Sequence, residues 1–431
     1  MARVFENDKC KIDNMSQIKV LWICNFSNPE IRKKLLLQHR GLDYIVRKLL
    51  KLKDLSTTDF GIWNTNGINE IKAHPEISLY VISPHHNLST NFQKFDMDGI
   101  HYYFYREQSY TLKWKILTKI FKKSSSFLSS RNIISKIVEE VRPDIVHIIG
   151  AENPTYSLAA LDIPNNIPLI VQLQTLLNDP NILKQSVAYS ETMLQCERKV
   201  IKRADFIGCS DADAHFRNVI EHDIQKGKRF LNLELPNGLS VQISNEAKEF
   251  DFVYFSANIN KAFDLALEAF IVAHSINPSL KMEVIGYYDS DFKKKVDKLI
   301  FSNNLQDFIH FAGHQETYKE VLDLVKKCKI ALLPLKIDLI SSTIRESMAL
   351  GLPVITTITP GTPELNKQRE SVLLSEIGDY KTMSENMLKL VSDSDYFSLL
   401  QNNAAQTIRD MFDNSAAIDE WVEAYKTIVS H

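Results

Sequence analysis

The chain has 431 residues, of which 44% are hydrophobic and 24% charged, with a formal net charge of −2 at pH 7. This length exceeds what one hydrophobic core usually serves, so two domains are expected, and the balanced charge argues against a general nucleic-acid binder. Five scattered cysteines without a C-x-x-C pair argue against a disulfide framework or a zinc site and favour a reducing cytoplasm. Because there is no run of about 18 apolar residues and no signal-peptide pattern, neither a membrane span nor secretion is predicted.

The first half of the chain alternates short apolar runs with helical patterns. The run Ile18 to Phe26 ends in a polar loop, as a buried parallel strand does. Similar runs follow at Ile77 to Ile82, Asp144 to Ile149, Pro168 to Leu173 and Asp205 to Cys209. Strands that alternate with helices predict a doubly wound α/β sheet. We assign this N-terminal Rossmann-like domain to residues 1–244, with residues 1–14 as a loose extension.

The same alternation restarts in the second half. Leu235 to Gly238 is a turn signal, and the charged stretch Asn245 to Asp251 is the predicted linker. Strands are then predicted at Phe252 to Ser256, Lys281 to Gly286, Ile309 to Phe311 and Lys329 to Leu333. These patterns indicate a second Rossmann-like domain over residues 245–412. We expect residues 413–431 to form a C-terminal helix that packs back on the N-terminal domain.

The spacing of the glycines argues against two kinds of nucleotide-binding motif in these domains. The 13 glycines contain no G-x-G pair, so the dinucleotide fingerprint and the phosphate loop of ATPases are both missing. A dehydrogenase is therefore disfavoured despite the Rossmann-like pattern.

The most informative segment, Leu332 to Leu365, reads as strand, loop, helix and strand. The polar cluster Ser341 to Thr343 precedes the predicted helix Ile344 to Leu350, where N-cap residues belong. Free backbone N–H groups and the positive end of the helix dipole make such a helix start a seat for an anion. Asp338 and Glu346 flank it with seven residues between them, and carboxylates accept hydrogen bonds from sugar hydroxyls. A phosphate beside sugar hydroxyls suggests a nucleotide-sugar.

The same segment resembles the nucleotide-binding core of retaining glycosyltransferases of family 4, also described as glycosyl transferases group 1. The matching residues are Glu346, Ala349, Gly351, Pro353, Val354, Gly361 and Glu364, with Asp338 in place of the first Glu of the pattern. The resemblance implies the GT-B fold, in which two Rossmann-like, doubly wound parallel-sheet domains face a cleft. It also implies transfer of a hexose from a nucleotide diphosphate sugar to a saccharide or lipid-linked acceptor, with retention of configuration and without a metal or other cofactor.

The resemblance assigns roles to individual residues. Glu346 would accept from the ribose hydroxyls, Asp338 would hold the donor sugar, and Lys261 matches the lysine that holds the donor diphosphate; these are the catalytic candidates. Asn258 stands where the family has an arginine. Two arginines are candidates to replace that cation, Arg32 and Arg345. The nucleotide-sugar-binding candidates are Lys261, Asn258, Ser341, Ser342, Thr343, Glu346 and Gly286.

In the first domain, four polar residues that follow predicted strands are candidates for contacts with the acceptor and the donor sugar: Asn28, Glu152, Asn153 and Gln174. Gln174 occupies the position of a donor-contacting histidine in the family that the chain resembles. His147 lies inside its strand, and we interpret it as a structural core residue.

A basic stretch, Thr111 to Ile137, contains seven Lys or Arg residues and no acid. An amphipathic helix packed on its own domain would explain it, and so would contact with an anionic membrane surface. The membrane-contact candidates are Trp114, Lys119, Lys122 and Lys123. The second interpretation suits a cytoplasmic enzyme on the inner face of the cell membrane that builds surface polysaccharide.

Two other functions remain open. A different GT-B enzyme, such as a sugar-nucleotide epimerase, would consume the donor without any acceptor. A non-catalytic partner subunit would bind a nucleotide-sugar or glycan without turnover.

Overall fold

The computed structural model describes residues 17–38, 59–107, 127–183, 190–210, 214–244, 246–258, 262–288, 290–336 and 340–430, and the apolar runs form two sheets in it. The strands of the first sheet are β1 (Ile18–Ile23), β2 (Ile77–Pro84), β3 (Phe92–Met97), β4 (Ile100–Tyr105), β5 (Ile145–Ile149), β6 (Leu169–Gln172), β7 (Phe206–Cys209) and β8 (Arg229–Asn232). The strands of the second sheet are β9 (Phe250–Asn258), β10 (Met282–Tyr287), β11 (Ile309–Gly313), β12 (Cys328–Leu332), β13 (Val354–Thr357) and β14 (Leu373–Ser375).

Helices connect these strands, as the alternating pattern predicts. Before β9 they are α1 (Pro29–Lys34), α2 (Ile62–Ile71), α3 (Leu128–Val141), α4 (Pro180–Leu183), α5 (Glu191–Arg203) and α6 (Ala214–Val219). After β9 they are α7 (Phe263–Ile276), α8 (Ser290–Ser302), α9 (Tyr318–Val325), α10 (Ser342–Ala349), α11 (Tyr380–Ser392), α12 (Ser394–Met411) and α13 (Asn414–Val429).

Both sheets have the doubly wound topology. The first has the order β3-β4-β2-β1-β5-β6-β7-β8, parallel except for the antiparallel pair β3 and β4. The second has the order β11-β10-β9-β12-β13-β14 and is parallel throughout. The strand order reverses between β1 and β5 in the first sheet and between β9 and β12 in the second. Ligands of such sheets bind at the carboxyl ends of the strands that flank this reversal.

The antiparallel hairpin of β3 and β4 was not predicted from the sequence. Its turn is Asp98 and Gly99, with φ values of 52° and 78°. Asp-Gly between two β-rich runs is a strong hairpin signal, so the sequence contained the information. The predicted linker Asn245 to Asp251 is also partly wrong, because β9 already begins at Phe250.

The C-terminal helix α13 completes the core of the first domain. Its residues Ile418, Trp421 and Tyr425 are fully buried in the same hydrophobic cluster as Trp22 of β1. The Tyr425 hydroxyl accepts a hydrogen bond from the Trp22 indole N–H at 3.0 Å. It lies 2.7 Å from Nδ1 of His147, so the helix is held to the sheet by polar as well as apolar contacts.

His147 is a core residue, as the sequence indicated. It is fully buried, and burial lowers the pKa of its imidazole to about 3, so the ring is neutral at physiological pH. The Tyr425 hydroxyl lies between the Trp22 indole N–H, from which it accepts, and Nδ1 of His147, with which it shares a hydrogen bond at 2.7 Å.

Replacing Tyr425 by Phe should destabilise the protein by about 2 kcal/mol, because two buried polar groups lose their common partner. Urea unfolding of Tyr425→Phe and wild type measures this difference. The control is Tyr380→Phe, which alters an exposed tyrosine and should leave the midpoint unchanged. Equal stability of Tyr425→Phe and wild type would show that this hydroxyl does not hold the helix.

Candidate active site

The loop and helix after β12 lie beside the strand reversal of the second sheet. Helix α10 begins at Ser342 with Ser341 as its extended N-cap residue, at φ −70° and ψ 144°. The Ser341 hydroxyl lies 2.9 Å from the Thr343 hydroxyl and makes no capping hydrogen bond to the helix backbone. The helix start therefore offers its backbone N–H groups and its dipole without a side-chain cap. Asp338 lies outside the described residues, and its role remains a prediction.

Glu346, one turn into α10, is the best-defined acid of this region. Its side chain is buried, and burial raises the pKa of its carboxyl to about 7, while the Tyr318 hydroxyl and the charge of Arg345 oppose that rise. A Cβ atom built on Gly238 would lie 2.6 Å from Glu346 Oε1 and 2.7 Å from the Tyr318 hydroxyl. The glycine thus lets the backbone of residue 238 lie directly against both oxygens.

Gly238 belongs to the segment that crosses from the first domain to the second, which we call the crossing segment, Glu234 to Leu239. Asn414 Oδ1 accepts from the backbone N–H of Asn237 at 2.6 Å, and Trp421 Nε1 donates to the Glu234 carbonyl at 2.9 Å. The Arg345 guanidinium forms an ion pair with Glu234 at 3.1 Å. The crossing segment is therefore fixed on one side by α13 and on the other by α10.

A second contact joins the two domains at Tyr318, the first residue of α9. Its backbone N–H donates to Asp59 Oδ2 at 3.2 Å. The other carboxylate oxygen of Asp59 lies 2.7 Å from the Arg32 guanidinium, which also donates to Ser27 at 3.0 Å. Since Arg32 pairs with Asp59 and Arg345 with Glu234, each cation that was a candidate to replace the family arginine already has a carboxylate partner.

The segment after β9 carries the remaining donor-side candidates. Asn258 is the last residue of β9, and Lys261 lies outside the described residues. Asp264, in the first turn of α7, accepts from Lys336 Nζ at 2.8 and 2.7 Å, which places a lysine that the sequence reading had not selected at this edge. Gly286, the next-to-last residue of β10, has φ 140°, a conformation that favours glycine.

In the first domain, the structure gives two of the four candidates local structural roles. Asn28 caps α1 by accepting from the Ile31 N–H at 2.9 Å, and Asn153 Oδ1 accepts from the Thr155 N–H at 3.1 Å and its hydroxyl at 2.7 Å. Their side-chain carbonyls thus already accept hydrogen bonds within the protein, and contact of either residue with a sugar remains a prediction. Gln174 donates to the Ile149 carbonyl at 3.3 Å.

Glu152 differs from those three residues. Its Oε2 is buried and has no hydrogen-bond partner among the described residues, and burial raises the pKa of the carboxyl to about 7, with the charge of Glu197 adding to the effect. It follows β5, and β5 and β1 flank the strand reversal of the first sheet.

Two further residues of the cleft edge were missed from the sequence. His85 follows β2, and both of its ring nitrogens are buried without a hydrogen-bond partner in the part of the chain that the structure describes. Its pKa is lowered to about 3 by burial and by the charges of His86 and Arg32. Tyr318 had a sequence signal for its place at a helix start, because Thr317 and Glu320 form a capping box. No sequence signal predicted that Tyr318 lies near Glu346, because that nearness depends on how the segments pack.

The membrane-contact candidates, Trp114, Lys119, Lys122 and Lys123, lie outside the described residues. Within the residues that the structure describes, no helix is long and apolar enough to cross a membrane. The same ranges hold no group of three or more His, Cys, Asp or Glu side chains that could bind a metal ion.

Comparison with known proteins gives a family match in the second domain. Residues 240–408 match the family model described as glycosyl transferases group 1. The second domain is therefore similar in sequence to group 1 glycosyl transferases. A relative in Methanocaldococcus jannaschii, an uncharacterized glycosyltransferase, is 23% identical over 290 residues, which are 67% of this chain and 77% of that protein. The protein is therefore a transferase enzyme, as the sequence predicted.

Solved structures agree on the fold of this glycosyltransferase. Sucrose-phosphate synthase from Thermosynechococcus elongatus superposes with a TM-score of 0.66 at 13% identity, covering 96% of this chain and 100% of that chain. HepE from Anabaena, solved in complex with UDP, superposes with a TM-score of 0.63 at 14% identity, covering 95% of this chain and 100% of that chain. The predicted GT-B architecture of two parallel-sheet α/β domains is confirmed.

Replacing Glu346 by Gln should change how stability depends on pH. The folded-state pKa of about 7 lies above the ordinary value of 4.5, so the folded glutamate keeps its proton longer and stability falls as pH rises between those values. Relative to wild type, Glu346→Gln should gain on the order of 2–3 kcal/mol between pH 4.5 and pH 8.

Denaturant unfolding of both proteins at the two pH values measures this gain. The exposed Glu423→Gln is the matched control and should follow wild type at both. A stability difference between Glu346→Gln and wild type that is the same at pH 4.5 and pH 8 would contradict a buried, protonated Glu346.

Proposed function

We propose that this glycosyltransferase moves a hexose from a nucleotide diphosphate sugar to a saccharide or lipid-linked acceptor, with retention of anomeric configuration. The observation that carries this proposal is the buried Glu346 carboxyl beside the strand reversal of the second sheet, with Gly238 packed against it. A carboxylate there accepts hydrogen bonds from the ribose hydroxyls of a nucleotide. HepE, which has this fold, was solved with UDP and with UDP and glucose, which supports a donor of this class.

The donor diphosphate would lie on the backbone N–H groups at the start of α10, around Ser341 to Thr343, and on Lys261. Lys336 brings a further positive charge to this edge, since it pairs with Asp264 of the neighbouring segment. Surface ion pairs are weak, so a diphosphate competes well for the Lys336 ammonium. Asp338 would hold hydroxyls of the donor sugar.

Catalysis would then be positional and electrostatic. The lysines and the helix start stabilise the charge that builds up on the departing diphosphate while the acceptor attacks from the same face. These groups supply the positive charge that a metal ion provides in other transferases, so we expect turnover without added metal.

The acceptor would bind on the first-domain side of the cleft. Glu152 supports this because its buried carboxyl has an oxygen without a partner among the described residues, and a sugar hydroxyl satisfies such an oxygen. Gln174, which donates to the carbonyl of the last residue of β5, is a second group suited to hydroxyls.

The proposed setting is surface polysaccharide assembly at the inner face of the cell membrane, with the basic stretch around Trp114 in contact with anionic lipid. The variant Lys119→Glu, Lys122→Glu, Lys123→Glu should lose sedimentation with anionic vesicles while nucleotide binding stays intact. Unchanged sedimentation would leave packing on its own domain as the explanation of that stretch.

The proposed function is tested by nucleotide binding followed by turnover. UDP, GDP, ADP, TDP and CMP are compared by thermal shift, and the nucleotide with the largest effect is confirmed by calorimetry. We expect one nucleoside diphosphate to stabilise the protein and its sugar conjugate to release that diphosphate in the presence of acceptor. Lys261→Ala should abolish the stabilisation, and Lys298→Ala, at an exposed position of α8, should retain it.

Each departure from that result has a defined meaning. Absence of stabilisation by every nucleotide would contradict the donor site. Binding and conversion of the donor without any acceptor would point to an epimerase. Binding without conversion of donor, with or without acceptor, would point to a non-catalytic subunit.

A further inference from the structure

The Tyr318 hydroxyl is buried beside the Glu346 carboxyl, and no group of the described residues gives it a hydrogen bond of normal geometry. Buried hydroxyls are nearly always paired, so an unpaired one beside a binding site indicates a partner that arrives from outside. Burial and the charge of Glu346 raise the pKa of this tyrosine well above its ordinary value, so its hydroxyl keeps its proton and can donate at every physiological pH.

Glu346 and Tyr318 together offer complementary chemistry. A carboxylate only accepts hydrogen bonds, whereas a protonated phenol can donate. Both oxygens lie against Gly238, at 2.6 and 2.7 Å from the point that a Cβ would occupy there. A ribose hydroxyl can donate to the carboxylate and accept from the phenol at the same time, which satisfies both protein groups.

We infer that Tyr318 is a second ribose-binding residue of the donor site, whose hydroxyl donates to a ribose hydroxyl that Glu346 holds. This inference rests on the proposed nucleotide diphosphate sugar donor and adds to it a basis for selecting ribose over deoxyribose. A site built to bond a hydroxyl rejects the analogue that lacks it, because the protein groups are then left unpaired.

A mutation can remove the Tyr318 hydroxyl without removing the other contact that Tyr318 makes. The backbone N–H of Tyr318 donates to Asp59 of the first domain, and Tyr318→Phe leaves that bond in place. The variant removes a buried hydroxyl that lacks a well-formed hydrogen bond among the described residues, so the ligand-free protein should melt at the same temperature as wild type or higher.

The experiment is calorimetric titration of wild type and Tyr318→Phe with the nucleoside diphosphate that stabilises the protein most, and with its 2′-deoxy and 3′-deoxy forms. Wild type should bind the ribose form about tenfold more tightly than at least one deoxy form. Tyr318→Phe should lose about tenfold in affinity for the ribose form and keep its affinity for that deoxy form.

Tyr396→Phe is the matched control, because Tyr396 donates to Glu370 at 2.9 Å in an exposed hydroxyl–carboxylate pair of the same domain. Tyr396→Phe should show the same ratio of affinities for the ribose and deoxy forms as wild type.

Two outcomes overturn the inference alone. One is an equal loss of affinity for the ribose and deoxy forms in Tyr318→Phe, which is the pattern of a merely structural residue; the other is unchanged discrimination. A wild type that binds no nucleoside diphosphate would instead contradict the proposed function, and the inference with it.

Discussion

The close approach of the crossing segment to Glu346 is the constraint on which the rest of the site depends. A Cβ at position 238 would lie 2.6 Å from the buried carboxyl oxygen, so any larger residue there would displace the Glu346 side chain. Burial raises the pKa of this carboxyl to about 7. A segment that links two domains thereby forms part of the wall of the proposed donor site, and movement between the domains acts directly on that wall.

The C-terminal helix explains how the crossing segment is held. Asn414, at its start, binds Asn237, while Trp421 binds the carbonyl of Glu234. Farther along the helix, Tyr425 is buried against β1 of the first domain. A helix that follows the second domain in sequence therefore stabilises the first domain and the segment between them. Stability of the first sheet and geometry of the donor site are coupled through it.

The sequence predicted those parts of the fold that local patterns specify. Strand β5 lies within the predicted run Asp144 to Ile149, and α10 lies within a few residues of the predicted helix Ile344 to Leu350. The sequence could not predict contacts between segments that are far apart in the chain, such as the nearness of Tyr318 and Gly238 to Glu346. No periodicity or capping signal encodes them, because they arise from tertiary packing. Asn28 illustrates a different difficulty. The sequence placed a polar side chain after β1 and suggested a sugar contact, but it did not indicate that this side chain caps helix α1.

The most direct test of this account is a crystal structure of the protein with the nucleoside diphosphate that it binds. The account predicts that the ribose hydroxyls lie within hydrogen-bonding distance of the Glu346 carboxylate, with the diphosphate at the start of α10. A nucleotide bound anywhere else, or one whose ribose is turned away from Glu346, would contradict it.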